Sequence, residues 1–228
     1  MPSISLLIPA YHERLTIEPL MERALAVLQS CTDDYELIVL DDASTDDTFA
    51  IMQRVQARHP GIIVRRHERN MGIAATFEEL YQLASKEFVF LISGDGQFPP
   101  ETLTRCLPHL AEHDIVICRR VSKHYTPYRH AVSWAYRWLP RLLFGVDLVD
   151  PGSVKVVRRT IYREVPVTST SVFVEAERII RAVRRGYRLT AVDMESQPRV
   201  GGQASGARLP VALAAARDLM RFWLSGGR

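Results

Sequence analysis

Short apolar runs alternate with amphipathic stretches along the first half of this chain, and this alternation restricts its possible folds more than any other feature. The runs are rich in Ile, Val and Leu, which is typical of strands buried on both faces of a sheet. Five strands are predicted, at residues 3–8, 35–40, 61–66, 87–92 and 114–118. Helices are predicted between them, at about 15–30, 45–58, 73–85 and 100–112. The alternation predicts an α/β fold with a Rossmann-like, mainly parallel sheet flanked by helices.

The second half is less regular. Residues 128–144 favour a helix as far as Trp138, with a kink or break near Pro140, because proline disrupts a helix interior. Further on, we predict a strand over 154–159, a helix over about 172–185, a strand ending near residue 195 and a last helix over about 208–224. Because no repeat or low-complexity linker separates the halves, we expect one domain over 1–228, whose part at about 119–228 completes a site built by about 1–118.

Basic residues are concentrated in one segment, although the net charge of the 228-residue chain is only +3. The segment lies between Asp114 and Asp147, has no acid, and contains Arg119, Arg120, Lys123, Arg129, Arg137 and Arg141. Such a block indicates an anionic partner. A nucleic acid is not expected, because the sequence shows neither a reader helix nor an aromatic sheet motif.

Cysteine usage and hydropathy indicate the compartment. The three cysteines are widely spaced and odd in number, which argues against a disulfide framework or a zinc site and favours a reduced compartment. We expect neither a signal peptide, since the first residues lack its charge and apolar pattern, nor a membrane span, which needs about 18 apolar residues. These features predict a cytoplasmic protein whose contact with a membrane, if any, is peripheral at the inner face.

Two acidic clusters follow two of the predicted strands. Asp41 and Asp42 come at the end of the second strand, and Asp95 lies in the sequence Ser-Gly-Asp-Gly-Gln after the fourth. In open α/β sheets, ligands bind at the carboxyl ends of the strands. An aspartate between glycines suits Mg²⁺ or Mn²⁺ bridging phosphates, and Gln97 offers a second, neutral oxygen. The clusters predict a nucleotide-linked substrate.

Structural explanations of these acids compete with the functional ones. Asp46 and Asp47 are explained by a helix N-terminus, where acids are favoured. Gly-Asp-Gly is also common turn chemistry, which could account for Asp95. Asp41 and Asp42 are harder to explain in this way, because adjacent acids at the end of an apolar strand cost desolvation unless a ligand or partner uses them. A functional role is therefore favoured for Asp42, while Asp41 is left open between the two explanations. A functional role is also favoured for Asp95, because it lies at a strand end in register with the first acidic cluster.

Several short motifs occur in order along nearly the whole chain. They are Ile8-Pro9-Ala10-Tyr11-His12-Glu13, Asp41-Asp42-Ala43-Ser44-Thr45-Asp46, Asn70-Met71-Gly72, Gly94-Asp95-Gly96-Gln97 with Pro99-Pro100-Glu101, Asp114-Ile115-Val116 leading to Arg120, Arg129 with Ser133, Asp150, and residues 199–205. Together they resemble family 2 glycosyltransferases with the GT-A fold, in the branch of dolichol- and polyprenyl-phosphate sugar synthases. The resemblance implies a metal-dependent, inverting transfer of a sugar from a UDP- or GDP-sugar to a polyprenyl phosphate.

The resemblance also implies roles for the first half of the chain. The nucleotide-sugar site would comprise Pro9, Ala10, Tyr11, Glu13, Asp41, Asp42, Asn70, Gly72, Gly94 and Asp95. The metal would bind Asp95, assisted by Gln97. Two positions depart from the family pattern: Ser93 stands where the first metal-binding Asp usually lies, and His12 replaces the more usual Asn.

In the second half, the resemblance implies that the acceptor phosphate is held by Arg120, Arg129, Ser133 and Arg199. Arginine suits this task because its planar guanidinium donates two hydrogen bonds to phosphate oxygens. Asp95, Arg129 and Arg199 would form the catalytic set. Residues 128–144, where aromatic side chains alternate with arginines, are typical of a membrane interface. The apolar stripe of the last predicted helix leaves core, homo-oligomer interface and membrane anchor open.

Two other functions remain open at this stage. The first is a glycosyltransferase of the same fold that acts on a hydroxyl of a saccharide or small molecule. A hydroxyl needs a general base, for which Asp150 or Glu177 is a candidate. The second is a nucleotide-sugar-binding module without catalytic activity.

Overall fold

The computed structural model describes residues 1–121, 127–197 and 209–227. In this part of the chain, one sheet contains β1 (Ile4–Ala10), β2 (Tyr35–Asp41), β3 (Ile63–Arg66), β4 (Phe88–Leu91), β5 (Ile115–Arg120), β6 (Lys155–Arg158) and β7 (Leu189–Met194). The helices are α1 (Ile17–Cys31), α2 (Thr48–Arg58), α3 (Ile73–Leu83), α4 (Thr102–Cys106), α5 (Pro127–Phe144), α6 (Arg159–Glu164), α7 (Val174–Arg184) and α8 (Leu209–Leu224). None of these helices combines the length and apolar character needed to cross a membrane.

The strands are arranged in the order β3-β2-β1-β4-β6-β5-β7. Neighbouring strands are parallel except that β6 runs antiparallel to both β4 and β5. The N-terminal end of β6 therefore lies at the edge where β4 and β5 reach their carboxyl ends. This architecture confirms the predicted α/β fold with a mainly parallel sheet flanked by helices.

The sheet is buried on both faces. Leu6 and Ile8 of β1 pack into a core that α1, α2 and α4 cover, whereas the intervening Leu7 packs with α3 on the opposite face. A further cluster on the β5 and β6 side is covered by α5, α6, α7 and α8. Burial on both faces explains why the strands form continuous apolar runs rather than strictly alternating ones.

Two helix predictions need correction. Helix α5 continues through Pro140 to Phe144 instead of breaking, because Tyr136, Leu143 and Phe144 pack against the core and offset the backbone hydrogen bond that proline removes. Conversely, the helix expected over about 100–112 is limited to α4 and a short 3-10 helix at Leu107–His109. Pro108 lacks the N–H that a longer α-helix needs there.

Candidate active site

The candidate site lies where β1, β2 and β4 end. Hydrogen bonds join the chain beyond these strands: the Asp42 N–H donates to the carbonyl of Ala10 at 2.8 Å, and the Gly94 N–H donates to that of Pro9 at 3.1 Å. The Thr16 hydroxyl also donates to the Gly94 carbonyl at 2.8 Å. Three motifs that are far apart in sequence thus meet at one edge of the sheet.

Gly94 allows the closest of these approaches. A Cβ atom at this position would lie 2.8 Å from the Pro9 carbonyl oxygen and 3.4 Å from Cγ of Glu13. A side chain therefore cannot be accommodated unless the backbone moves. The glycine lets the backbone that leads into Asp95 lie directly against the end of β1.

Asp95 is only 5% exposed. Its Oδ1 accepts the Gln97 N–H at 3.0 Å, which closes the turn that carries both residues. The described residues contain no group of three or more His, Cys, Asp or Glu side chains suited to a metal ion. A single carboxylate with one amide nevertheless fits Mg²⁺, which commonly takes one or two carboxylates and completes its shell with water and substrate phosphates.

Asp41 is fully buried and serves the turn that follows β2. Its carboxylate accepts the Ser44 N–H at 3.1 Å and lies 3.1 Å from Nε of Arg66. The same guanidinium donates to the Ser44 carbonyl at 2.8 Å. Asp41, predicted to contact the nucleoside, thus holds the backbone that carries Asp42.

Asp42 binds the loop that precedes α3. Its carboxylate accepts the N–H groups of Met71 at 2.7 Å and Gly72 at 3.0 Å, and the side-chain amide of Asn70 donates to its carbonyl at 3.3 Å. Nδ1 of His67 lies 2.6 Å from the same carboxylate. The structure therefore brings the predicted donor-site residues Asn70 and Gly72 onto Asp42.

His67 was missed from the sequence, because no motif connects it to Asp42. Its Nε2 lies 2.9 Å from Glu79 of α3, so the imidazole bridges two carboxylates. Burial opposes the charged ring, but the hydrogen bonds to Asp42 and Glu79 outweigh it and raise the pKa of His67 above its ordinary value. The bridge stabilises the protonated imidazole beside the predicted donor-site residues.

The segment after β1 presents an aromatic surface to solvent. The Tyr11 ring is 45% exposed and stacks on the His12 ring, with centroids 4.0 Å apart. The His12 N–H donates to Oγ of Ser44 at 2.9 Å, and the Glu13 N–H donates to Oγ1 of Thr48 at 2.9 Å. These bonds attach the segment to the turn after β2 and leave the two rings exposed at the edge of the candidate site.

Backbone strain is concentrated along this edge. His12, Ala43 and Val149 adopt positive φ angles of 57°, 60° and 57°. Such conformations cost about 1–3 kcal/mol each in residues other than glycine and cluster at functional sites. The three residues adjoin Tyr11, Asp42 and Asp150, respectively, so the strained backbone flanks candidate site residues.

Arg120 and Asp150 form a bidentate ion pair at the end of β5. Nε and Nη2 of Arg120 donate to the two carboxylate oxygens at 2.9 and 2.8 Å, and the Arg120 N–H donates at 3.2 Å. The Arg120 side chain is 13% exposed and that of Asp150 is 2% exposed. The sequence assigns the two residues to different hypotheses, Arg120 as a phosphate ligand and Asp150 as a general base. The structure makes them partners.

The remaining predicted acceptor residues are less fully described. Arg129 and Ser133 lie on α5, where Ser133 is half-buried. Arg199 and the motif at 199–205 lie outside the described residues. The contacts of these two arginines with an acceptor therefore stay predictions.

Glu177, the other candidate base, is fully buried in α7. Its carboxylate accepts the N–H groups of Thr168 at 3.0 Å and Ser169 at 2.8 Å, and Nε of Arg181 at 2.7 Å. Burial opposes ionisation, but the hydrogen bonds, led by that of Ser169, outweigh it and lower the pKa of Glu177. These contacts are those of a carboxylate that shapes a loop.

Comparison with known proteins identifies similar sequences. A family model described as Glycosyl transferase family 2 matches residues 5–165. The chain is 29% identical over 168 residues to a dodecaprenyl-phosphate galacturonate synthase of Rhizobium johnstonii, covering 71% of this chain and 49% of the relative. It is 30% identical over 148 residues to a dolichol-phosphate mannosyltransferase of Saccharomyces cerevisiae, covering 61% and 55%. The chain thus spans about half the length of these relatives.

Solved structures share the fold. A Mycobacterium tuberculosis glucosyl-3-phosphoglycerate synthase, crystallised with Mn²⁺, UDP and phosphoglyceric acid, superposes with a TM-score of 0.73 at 20% identity, covering 99% of this chain and 78% of that one. Staphylococcus aureus TarS superposes with a TM-score of 0.59 at 19% identity, covering 85% and 59%. The first of these superpositions confirms the GT-A fold expected from the sequence.

Proposed function

We propose, from the premise that this chain belongs to glycosyl transferase family 2, that it transfers a sugar from a nucleoside-diphosphate donor to a polyprenyl phosphate with inversion. The observation that carries the proposal is the meeting of Asp95, the Asp42 loop and the Tyr11 segment at one sheet edge, with Arg120 at the end of β5. Two sequence relatives are named for transfer to dodecaprenyl or dolichol phosphate, which supports this acceptor class.

The donor would lie across the ends of β1, β2 and β4. Tyr11 offers an aromatic face to the base, and the backbone from Pro9 to Glu13 lines the same edge. The loop held by Asp42 lies beside it, with Asn70 and Gly72. Since a fold neighbour was crystallised with UDP, a uridine nucleotide is the first donor to test.

Asp95 and Gln97 are the residues that would hold a divalent cation. When bound, Mg²⁺ or Mn²⁺ would neutralise negative charge on the leaving diphosphate. Crystals of the fold neighbour with each of these ions support the choice. Asp95 supplies the anionic oxygen and Gln97 a neutral one, while Gly94 keeps both close to the end of β1.

Transfer to a phosphate requires that the protein position the acceptor, but it does not require a general base to remove a proton. A phosphate monoester is already ionised near neutral pH, so its oxygen can attack without losing a proton to the protein. Arg120, with Arg129 and Ser133 of α5 and with Arg199, would orient the phosphate. The bidentate pairing of Asp150 with Arg120 supports a role for Asp150 in fixing that guanidinium. Because the acceptor is a lipid, we place the enzyme at the cytoplasmic surface of a membrane.

Donor turnover tests the proposal. UDP- and GDP-sugars are incubated with Mg²⁺ or Mn²⁺, with and without a short-chain, water-soluble polyprenyl phosphate, and released nucleotide and glycolipid are measured. Asp95→Asn should lower kcat by at least about a hundredfold, which corresponds to an increase of about 2.7 kcal/mol in the activation free energy. Asp33→Asn, at an exposed position, is the control and should leave kcat unchanged.

Three results would contradict the proposal. Full turnover by Asp95→Asn would exclude the metal role of Asp95. Transfer to saccharide hydroxyls but not to the phosphate would favour the hydroxyl-acceptor transferase. Donor binding without any turnover would favour the non-catalytic module.

A further inference from the structure

Helix α5 exposes an apolar stripe along its outer face. Trp134, Trp138 and Leu142 follow at intervals of four residues and therefore share one side of the helix, where Leu142 is 81% exposed. The opposite side packs inward: Phe144 contacts Phe222 of α8 with ring centroids 4.8 Å apart. The apolar stripe thus lies on the side of α5 that does not pack against the core.

Helix α8 exposes a second stripe. Its exposed apolar residues are Leu209, Leu213, Met220, Trp223 and Leu224. The side that includes Leu219 and Phe222 is buried in the same core cluster that α5 covers. Because both helices pack into one cluster and touch each other, their uncovered sides form one outward surface. We call the exposed apolar and basic residues of α5 and α8 the α5–α8 face.

The charges on the α5–α8 face are of one sign. Helix α5 contains no acid, and Asp218, the acid of α8, is buried and accepts the N–H groups of Thr170 and Ser171 at 3.1 and 3.0 Å. The exposed charged residues described on the two helices are Arg137, Arg141, Arg217 and Arg221. Asp147, outside the helices, lies 3.4 Å from Arg141, and Asp218 lies 3.7 Å from Nε of Arg217. Two acids beside four exposed arginines leave the face basic.

We propose that the α5–α8 face rests on the surface of a bilayer that contains anionic lipids. Leucine side chains would enter the boundary with the acyl chains, and tryptophan rings suit the headgroup layer. The arginines would extend toward lipid phosphates, to which anionic membranes attract basic segments. A second copy of the chain fits less well, because a two-fold interface centred on this face brings like-charged arginines together.

This placement has a consequence for the proposed reaction, and that consequence rests on the proposed function. Helix α5 carries Arg129 and Ser133 in addition to Trp134 and Trp138. A helix that lies on the bilayer would therefore hold two predicted phosphate ligands at the depth of the lipid headgroups. The same surface would dock the protein and present the acceptor.

Vesicle co-sedimentation tests the proposal without requiring catalysis. The protein is mixed with phosphatidylcholine vesicles, with or without phosphatidylglycerol, and should bind only the anionic ones appreciably. Leu142→Glu combined with Leu213→Glu should weaken binding by roughly tenfold per leucine. Both side chains are mostly exposed, at 81% and 61%, so the fold should persist. Leu15→Glu, at a 66% exposed position before α1, is the matched control and should bind like the wild type.

A second pair of variants tests the contribution of charge. Arg137→Gln combined with Arg217→Gln should weaken binding to anionic vesicles by roughly fivefold per arginine. Arg54→Gln, at an exposed position of α2, is the control. Equal binding to both kinds of vesicle would refute the requirement for anionic lipid. Failure to bind either, or a dimer that the leucine variants dissociate, would overturn the docking proposal.

Failure of docking and failure of the proposed function can be told apart. Turnover of the water-soluble acceptor does not need a bilayer, so the leucine variants should keep it. A wild type that binds anionic vesicles but turns over no acceptor would reject the proposed function and leave the docking surface standing. A wild type that turns over the water-soluble acceptor but does not bind anionic vesicles would reject the docking surface and leave the proposed function standing.

Discussion

At the scale of single residues, the acids that follow the strands have different environments. Asp41 binds the turn after β2, Asp42 binds the loop before α3, and Asp95 folds a turn beside the end of β1. Each carboxylate accepts at least one backbone N–H, and these groups cannot move independently of the fold. The geometry of the site therefore depends on backbone conformation as much as on the acids themselves.

Gly94 gives a prediction about that backbone. Gly94→Ala should lower the free energy of unfolding by about 1–3 kcal/mol and raise KM for the donor, because its Cβ would lie 2.8 Å from the Pro9 carbonyl oxygen. Gly61→Ala is the matched control, since nothing lies within 4 Å of a Cβ there. Denaturant unfolding and donor kinetics measure both effects. Wild-type values for Gly94→Ala would show that the strand ends can separate without cost.

His67 gives a prediction about pH. Its pKa is raised by the hydrogen bonds to Asp42 and Glu79, so protonation stabilises the fold. That stabilisation is fully present below the unfolded pKa, about 6.5, and is lost as pH rises through the folded pKa. The difference in unfolding free energy between wild type and His67→Gln should therefore shrink with rising pH.

The experiment combines denaturant unfolding with NMR titration of His67 between about pH 5.5 and 8.5, where carboxylates remain ionised. Glu79→Gln removes one of the hydrogen-bonded carboxylates, so it should move the midpoint of the His67 titration to lower pH. A difference in unfolding free energy between wild type and His67→Gln that grows as pH rises would contradict a stabilising protonation of His67.

At the scale of elements, β6 decides which residues from the second half reach the site. It runs antiparallel between β4 and β5, so the chain that enters it passes along the carboxyl edge of both. This entering segment pairs Asp150 with Arg120, and the Ser153 hydroxyl donates to the Cys118 carbonyl. Within β6, Lys155 lies 3.0 Å from Glu175 of α7. One strand thus links β5, α7 and the candidate acceptor side.

The ion pair at the end of β5 can be tested by removing its acid. Asp150→Ala should destabilise the fold by about 3 kcal/mol, because it leaves the largely buried guanidinium of Arg120 without its carboxylate. Asp193→Ala, which removes the exposed partner of Arg119, is the control and should change stability little. Thermal and denaturant unfolding give both values. If Asp150→Asn instead keeps wild-type stability and loses turnover, Asp150 is better assigned as a general base.

At the scale of the whole molecule, the two sequence halves share one sheet. Strand β6 lies between β4 and β5, so β5 of the first half has no direct pairing with β4. Strand β7 pairs with β5 along its whole length. The part at about 1–118 therefore ends in a strand that only later residues connect to the sheet. A single domain over 1–228 stays a prediction.

The cooperativity of unfolding tests whether the two halves form one domain. The chain should unfold in one transition, with the same midpoint by far-ultraviolet circular dichroism and by tryptophan fluorescence, because the tryptophans lie in the second half and the backbone probe reports on both. A fragment of residues 1–118 should lack a cooperative transition. Two separate transitions in the full chain, or a stable fragment, would show that the halves are independent domains.

The sequence by itself determined the fold class and the edge of the sheet at which the candidate acids lie. Continuous apolar runs indicate strands that are buried on both faces of a sheet. An acid that follows a parallel strand lies at the edge of the sheet where the strands reach their carboxyl ends. Only the tertiary structure decided that β6 is antiparallel, that Asp150 pairs with Arg120 and that His67 bridges Asp42 and Glu79. These contacts join residues 12 to 30 positions apart. Such spacings have no helical or strand period, so only packing of the complete sheet specifies which side chains meet.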